Sequence, residues 1–152
     1  MSTRGYFGIG VYHPKTAENI GILYRTAYQM GAAFIFTIGS RYKKTVMDTP
    51  KAYRHIPLFA FDDCAAFQTA TVYDCPVVGI EKIEGKDLNS RSLEKYTHPE
   101  RCIYLLGAED GGLSNEALAL CHEFIEIPSV RTYSYNVSIS GALVMYDRLS
   151  KS

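Results

Sequence analysis

Cys102-Ile103-Tyr104-Leu105-Leu106-Gly107-Ala108-Glu109-Asp110-Gly111-Gly112-Leu113-Ser114 is the stretch on which the fold turns. The apolar run Cys102–Leu106 reads as a strand buried on both faces. Gly107, Gly111 and Gly112 then let the backbone turn sharply and approach a ligand closely. Leu113-Ser114 opens a helix: Ser114 is the cap, Glu116 favours the helix dipole, and Leu113 can staple to Leu118.

The same alternation extends outward on both sides. Tyr6–Val11 reads as a first strand, broken by His13-Pro14-Lys15. Thr16 caps a helix to about Met30, with Glu18 in its first turn, Gly31 as its stop, and a core stripe of Ile20, Leu23, Ala27 and Met30. Ala33–Ile38, Leu58–Phe61 and Val77–Ile80 read as further strands, and Asp62 or Asp63 caps a helix through about Ala70. The basic segment Gly39–His55 lacks strong periodicity, and polar Glu84–Arg101 reads as a long connection with a turn of helix. Phe124–Ile127 is a last short strand ended by Pro128. Asn136–Leu149 is a helix apolar nearly all round, which belongs in the core or in a subunit interface. Apolar strands each followed by a helix predict a single α/β domain over 1–152, a mainly parallel sheet with helices on both faces. Ligands of such folds collect outside the carboxyl ends of the strands.

Composition narrows the class. A chain of 152 residues, 47% hydrophobic and 21% charged, suits one globular domain and excludes disorder as its main state. No apolar run approaches the roughly 20 residues of a membrane span, and Met1–Gly5 is not a signal peptide. The four cysteines (Cys64, Cys75, Cys102, Cys121) are scattered, which argues against a zinc site or a disulfide framework and fits a cytoplasmic protein. The four histidines (His13, His55, His98, His122) lack metal-ligand spacing, so no metal is expected. The net charge of +0 conceals an asymmetry: residues 1–55 carry eight Lys/Arg against two acids, and residues 56–152 eight against fourteen. Halves so different suit a face built for a polyanion, although both also suit ordinary solvated surface.

Three strand-to-helix junctions carry the chemistry. Asn19-Ile20-Gly21-Ile22-Leu23-Tyr24-Arg25 puts a polar amide near a helix start, where backbone donors are unpaired, and a cation six positions on. Gly107-Ala108-Glu109-Asp110-Gly111-Gly112 puts two carboxylates in a turn, where they could hold a cation or orient an arginine. Ser134-Tyr135-Asn136-Val137-Ser138 crowds small polar side chains at the mouth of an apolar helix, more of them than capping alone requires. Gly5…Gly8-Ile9-Gly10 is not a dinucleotide fingerprint, because those glycines fall inside the strand and no acid ends a second strand at the required distance. There is no P-loop and no G-x-S-x-G.

In order and in register, Asn19-x-Gly21-x-x-x-Arg25, Leu106-Gly107-x-Glu109-x-x-Gly112-Leu113 and Ser134-x-Asn136-Val137-Ser138 resemble motifs 1, 2 and 3 of the SpoU/TrmH-like SPOUT RNA 2′-O-ribose methyltransferases. The resemblance spans about Tyr6 to Leu149. Two departures are Tyr135, where a smaller aliphatic residue is common, and Gly141, which interrupts the last helix.

The resemblance implies a C-terminal trefoil knot, a homodimer, and a catalytic domain without an N-terminal RNA-binding extension. It also implies S-adenosyl-L-methionine as cofactor and the ribose 2′-hydroxyl of a structured RNA as acceptor, transfer RNA being favoured and ribosomal RNA possible. Cofactor residues carried over are Gly79 after the fourth strand, Gly107, Ile127, Ser134 and Asn136, in a pocket made from loop backbone. Arg25 matches the arginine suspected of activating the ribose hydroxyl; a guanidinium is a poor base, so positioning through a phosphate is the favoured role. Glu109 would orient Arg25 or Asn19, and Asn136 would hydrogen-bond the ribose or the cofactor. Arg41, Lys43, Lys44 and Arg54, with Lys51, Tyr42, Tyr53 and His55, are the RNA-binding candidates, suited to phosphate contact and base stacking. A non-catalytic RNA-binding module of the same fold is the alternative; it would lack Arg25, Glu109 or Asn136, and all three are present.

Overall fold

The computed structural model describes residues 5–42, 55–70, 75–81, 90–108, 110–131 and 133–152. Among the described residues the strands are β1 (Tyr6–Tyr12), β2 (Phe34–Ile38), β3 (Leu58–Phe61), β4 (Val77–Ile80), β5 (Ser90–Ser92), β6 (Arg101–Leu106) and β7 (Glu123–Glu126). These seven form one sheet in the order β3-β2-β1-β6-β4-β7-β5, every neighbouring pair parallel. The helices are α1 (Ala17–Gln29), α2 (Cys64–Ala70), α3 (Asn115–Leu118) and α4 (Val137–Ser150).

Strand β6 lies near the centre, between β1 and β4, and is buried on both faces, as its unbroken apolar run requires. Tyr104 and Leu106 join a core with Ile20, Leu23 and Ala27 of α1 and Val144 and Met145 of α4. Ile103 and Leu105 join the opposite core, with Phe67 of α2 and Ala117 of α3. Gly8 and Gly10 are packing residues: a Cβ there would lie 2.2 Å from the Phe34 ring and 2.5 Å from the Phe36 ring of the neighbouring strand.

Local signals place the helix starts. Thr16 Oγ1 accepts from Asn19 N at 3.3 Å, Asp63 Oδ1 from Ala66 N at 2.8 Å, and Ser114 Oγ from Ala117 N at 3.2 Å.

Three expectations change. Part of the polar connection is a strand: Ser90–Ser92 pairs with β7 at the sheet edge, ahead of the expected helical turn at Leu93–Lys95. An edge strand this short needs no apolar alternation, so hydrophobic periodicity cannot reveal it. Gly141 does not interrupt α4. A Cβ there would lie 2.4 Å from Leu23 Cδ1, so the missing side chain brings α4 against α1. Nor is α4 buried all round in the single chain: Val144 and Met145 are inside, whereas Ile139, Leu143 and Tyr146 are exposed.

Candidate active site

The carboxyl ends of β4, β6 and β7 open onto a cavity of about 320 Å³. Ile80 and Glu81 line it from β4, Leu106 to Ala108 and Asp110 to Gly112 from β6, and Ile127, Ser129 and Tyr133–Tyr135 from the segment after β7. Val137 and Ser140 of α4 complete the lining. The cavity has the position expected of a ligand site in a parallel sheet.

The turn after β6 closes tightly on itself. Gly112 N donates to Ala108 O at 2.8 Å, and Gly112 has φ +60°, where a side chain would be strained. A Cβ on Gly107 would fall 2.6 Å from the Gly112 carbonyl carbon and 2.8 Å from Leu113 N, both backbone atoms that cannot yield cheaply. Glu81 Oε2 accepts from Leu113 N at 2.7 Å, tying the exit of the turn to the end of β4.

Of the residues carried over for the cofactor, Gly107, Ile127 and Ser134 line the cavity. Gly79 does not. It lies inside β4, where a Cβ would meet Phe124 Cδ1 at 2.8 Å and Cys121 Sγ at 2.9 Å, so its side-chain position faces the body of the protein. Only residues at the very end of a strand reach the crevice, and here these are Ile80 and Glu81. Glu81 escaped the sequence analysis; the available signal was an acid directly after a buried strand.

Asn136 is the N-cap of α4. Its Oδ1 accepts from Ser138 N at 2.9 Å and from Ser138 Oγ at 2.5 Å, which explains part of the crowding of small polar groups. Its Nδ2 donates to Asn19 Oδ1 at 3.2 Å, joining the first and third junctions across the chain. Asn136 itself is not in the cavity lining, although Tyr135 and Val137 on either side of it are.

Arg25 stands apart. It is exposed on α1, outside the cavity lining, and has no ion pair among the described residues. Six residues are about one and two-thirds helical turns, so Arg25 and Asn19 lie on different sides of α1. Glu109 lies outside the described residues, and so do Lys43, Lys44, Lys51, Tyr53 and Arg54 of the basic segment.

The described part of that segment is engaged within the protein. Tyr42 packs partly buried against the core, and His55 stacks on Tyr28 at 4.9 Å between ring centres. Arg41 forms a two-pronged ion pair with Asp110, Nη1 to Oδ2 at 2.9 Å and Nη2 to Oδ1 at 2.8 Å. The Arg41 guanidinium holds the Asp110 carboxyl well below the usual range, at about 2.

The sequence profile of the SpoU rRNA methylase family matches residues 7–146. The chain belongs to that family. This SpoU-family chain is 26% identical over 149 residues to an uncharacterized tRNA/rRNA methyltransferase of Archaeoglobus fulgidus, a match that covers 95% of the chain. It spans 64% of that relative's length. Among solved structures it resembles one concerned with 2-OH methylation of C/U34 on tRNA, with a TM-score of 0.80 and 22% identity over 98% of this chain and 99% of the other. The SpoU methyltransferase AviRb from Streptomyces viridochromogenes, in complex with AdoMet, is similar with a TM-score of 0.79 and 18% identity, over 99% of this chain and 59% of AviRb. At such identities these two likenesses speak for the fold, a parallel α/β domain of the SpoU type.

Proposed function

We propose that this chain transfers a methyl group from S-adenosyl-L-methionine to a ribose 2′-hydroxyl of structured RNA, with transfer RNA the favoured substrate and ribosomal RNA the second. The observation that carries this reading is the glycine-walled cavity at the carboxyl ends of β4, β6 and β7, in a chain whose family profile is that of an RNA methylase. The relatives support it: a tRNA/rRNA methyltransferase, a structure concerned with 2-OH methylation on tRNA and an AdoMet complex.

The cavity suits this cofactor. Ile80, Leu106, Ile127 and Val137 offer apolar contact to a flat ring, and the tight turn at Gly107 offers backbone close at hand. Glu81 in the lining would offer negative charge to a cationic sulfonium, while the Asp110 carboxylate is paired with Arg41. When bound, the cofactor supplies an electrophilic methyl group. The protein's part is then positioning: the turn of 107–112 sets one wall, Ser134 and Tyr135 the other, and the Asn19–Asn136 hydrogen bond fixes the starts of α1 and α4 beside them. Arg25 is assigned to hold a phosphate next to the target ribose, and Lys43, Lys44 and Arg54 to bind RNA by charge.

Calorimetry and mass spectrometry test the reading. S-adenosylmethionine or its demethylated product should titrate and raise the melting temperature. RNA from cells lacking the protein should lose one ribose methylation by mass-spectrometric mapping. Binding of RNA with neither effect would favour the non-catalytic module of the same fold.

A homodimer belongs to this proposal. Ile22 and Tyr28 on α1 and Ile139, Leu143 and Tyr146 on α4 are exposed on two helices that pack together. Arg25 is exposed on the same α1, suited to meet an RNA held across two copies. Leu143→Glu should convert a dimer to a monomer in sedimentation, and an unchanged sedimentation coefficient would exclude this face. The trefoil threading and a cytoplasmic location are carried with the same reading; among the described residues no helix is long and apolar enough to cross a membrane.

A further inference from the structure

Arg41 sits where three loops converge at the carboxyl ends of the strands. Its backbone N–H donates to Pro14 O at 3.0 Å, and its Nε donates to His13 O at 3.0 Å, both in the loop after β1. Its two terminal nitrogens grip Asp110, which stands 69 positions away in the glycine turn after β6 and lines the cavity. We propose that Arg41 is a positioning residue of the cofactor cavity, clamping the glycine turn to the loop after β1, and is not one of the RNA phosphate contacts. This rests on the cavity being the cofactor site.

The chemistry favours the clamp. A guanidinium presents its donors in a fixed planar fork, so one side chain can satisfy a carboxylate bidentately and a carbonyl beside it. The turn it holds has three glycines in six residues and therefore much freedom to lose on ordering. Ion pairs at exposures of 39% and 45% contribute little by charge alone. The value of this one is geometric, since Asp110 and Gly107 belong to one short turn and both line the cavity. With three of its five N–H donors bonded to His13 and Asp110 and its charge paired, Arg41 is less suited than an unpaired cation to hold an RNA phosphate.

A double-mutant cycle reads this coupling. Arg41→Ala and Asp110→Ala should each weaken binding of S-adenosylhomocysteine about fivefold by calorimetry, and the double variant should be no weaker than either. Arg41→Lys should recover little, because an ammonium cannot reproduce the fork. In the ligand-free protein, amide exchange across 107–113 should accelerate in Arg41→Ala. RNA affinity and its salt slope should stay at wild-type values, whereas the reference variant K43A/K44A/R54A lowers both. Loss of affinity in Asp110→Ala without loss in Arg41→Ala would overturn the clamp, as would unchanged exchange. A reduced salt slope in Arg41→Ala would return Arg41 to the RNA surface. If the wild-type protein binds no cofactor, the functional reading fails, and the exchange measurement still decides whether the clamp exists.

Discussion

Arg25→Ala is expected to abolish nearly all methyl transfer, by about two to four orders of magnitude, while fold and cofactor affinity stay at wild-type values. The residue is exposed and outside the cavity lining, so its removal opens no hole in the core and takes no wall from the cavity. Arg25→Lys should recover little, since a two-pronged phosphate contact needs a planar donor pair. The pH–rate profile separates the two roles left open for it. A positioning residue lowers the rate at every pH without moving an inflection, provided methyl transfer limits turnover. A base of lowered pKa gives the wild-type profile a basic-limb inflection that Arg25→Lys moves or removes. Full activity in Arg25→Ala would sink both roles and the assignment of the first junction to catalysis.

The second large effect is expected at Gly107. A methyl group there meets backbone atoms of Gly112 and Leu113 at 2.6 to 2.8 Å, so the turn must move rather than a side chain rotate. Gly107→Ala should cost roughly 1–3 kcal/mol of stability. It should also lower affinity for S-adenosylmethionine tenfold or more, because the displaced wall belongs to the cavity proposed to hold the cofactor. Gly111→Ala is the matched control for stability: nothing lies within 4 Å of its Cβ position, so its melt should stay near wild type. Calorimetric titration and thermal melts of the two variants side by side check this. Equal behaviour would mean that the turn adapts and its tight closure is unimportant.

What the sequence determined by itself is whatever a few neighbouring residues control. The apolar run 102–106 implied a strand buried on both faces, and β6 is one, near the middle of the sheet. Thr16, Asp63 and Ser114 are caps because a short polar side chain three residues before an unpaired N–H needs only local geometry. Glycines after β6 announced a tight turn at a strand's carboxyl end, and that turn lines the cavity. Order along the chain sufficed to bring the three junctions under one family resemblance, which the family profile over 7–146 bears out.

Only the tertiary structure decided which side chains meet across long separations. Asn19 and Asn136 are 117 positions apart and Arg41 and Asp110 69 apart, and neither pair has a local signature. The charge of Arg41 is visible in the sequence, but its pairing with Asp110 is visible only in the fold. The pleat turns the side-chain position of Gly79 inward and leaves Ile80 and Glu81 lining the cavity. Arg148, one cation in an apolar helix, is buried, donating to Pro99 O at 2.7 Å and Glu100 O at 2.8 Å with its guanidinium 5.0 Å from the Phe7 ring centre. A buried charge is tolerated only where partners converge on it, and that convergence is a property of the folded chain alone.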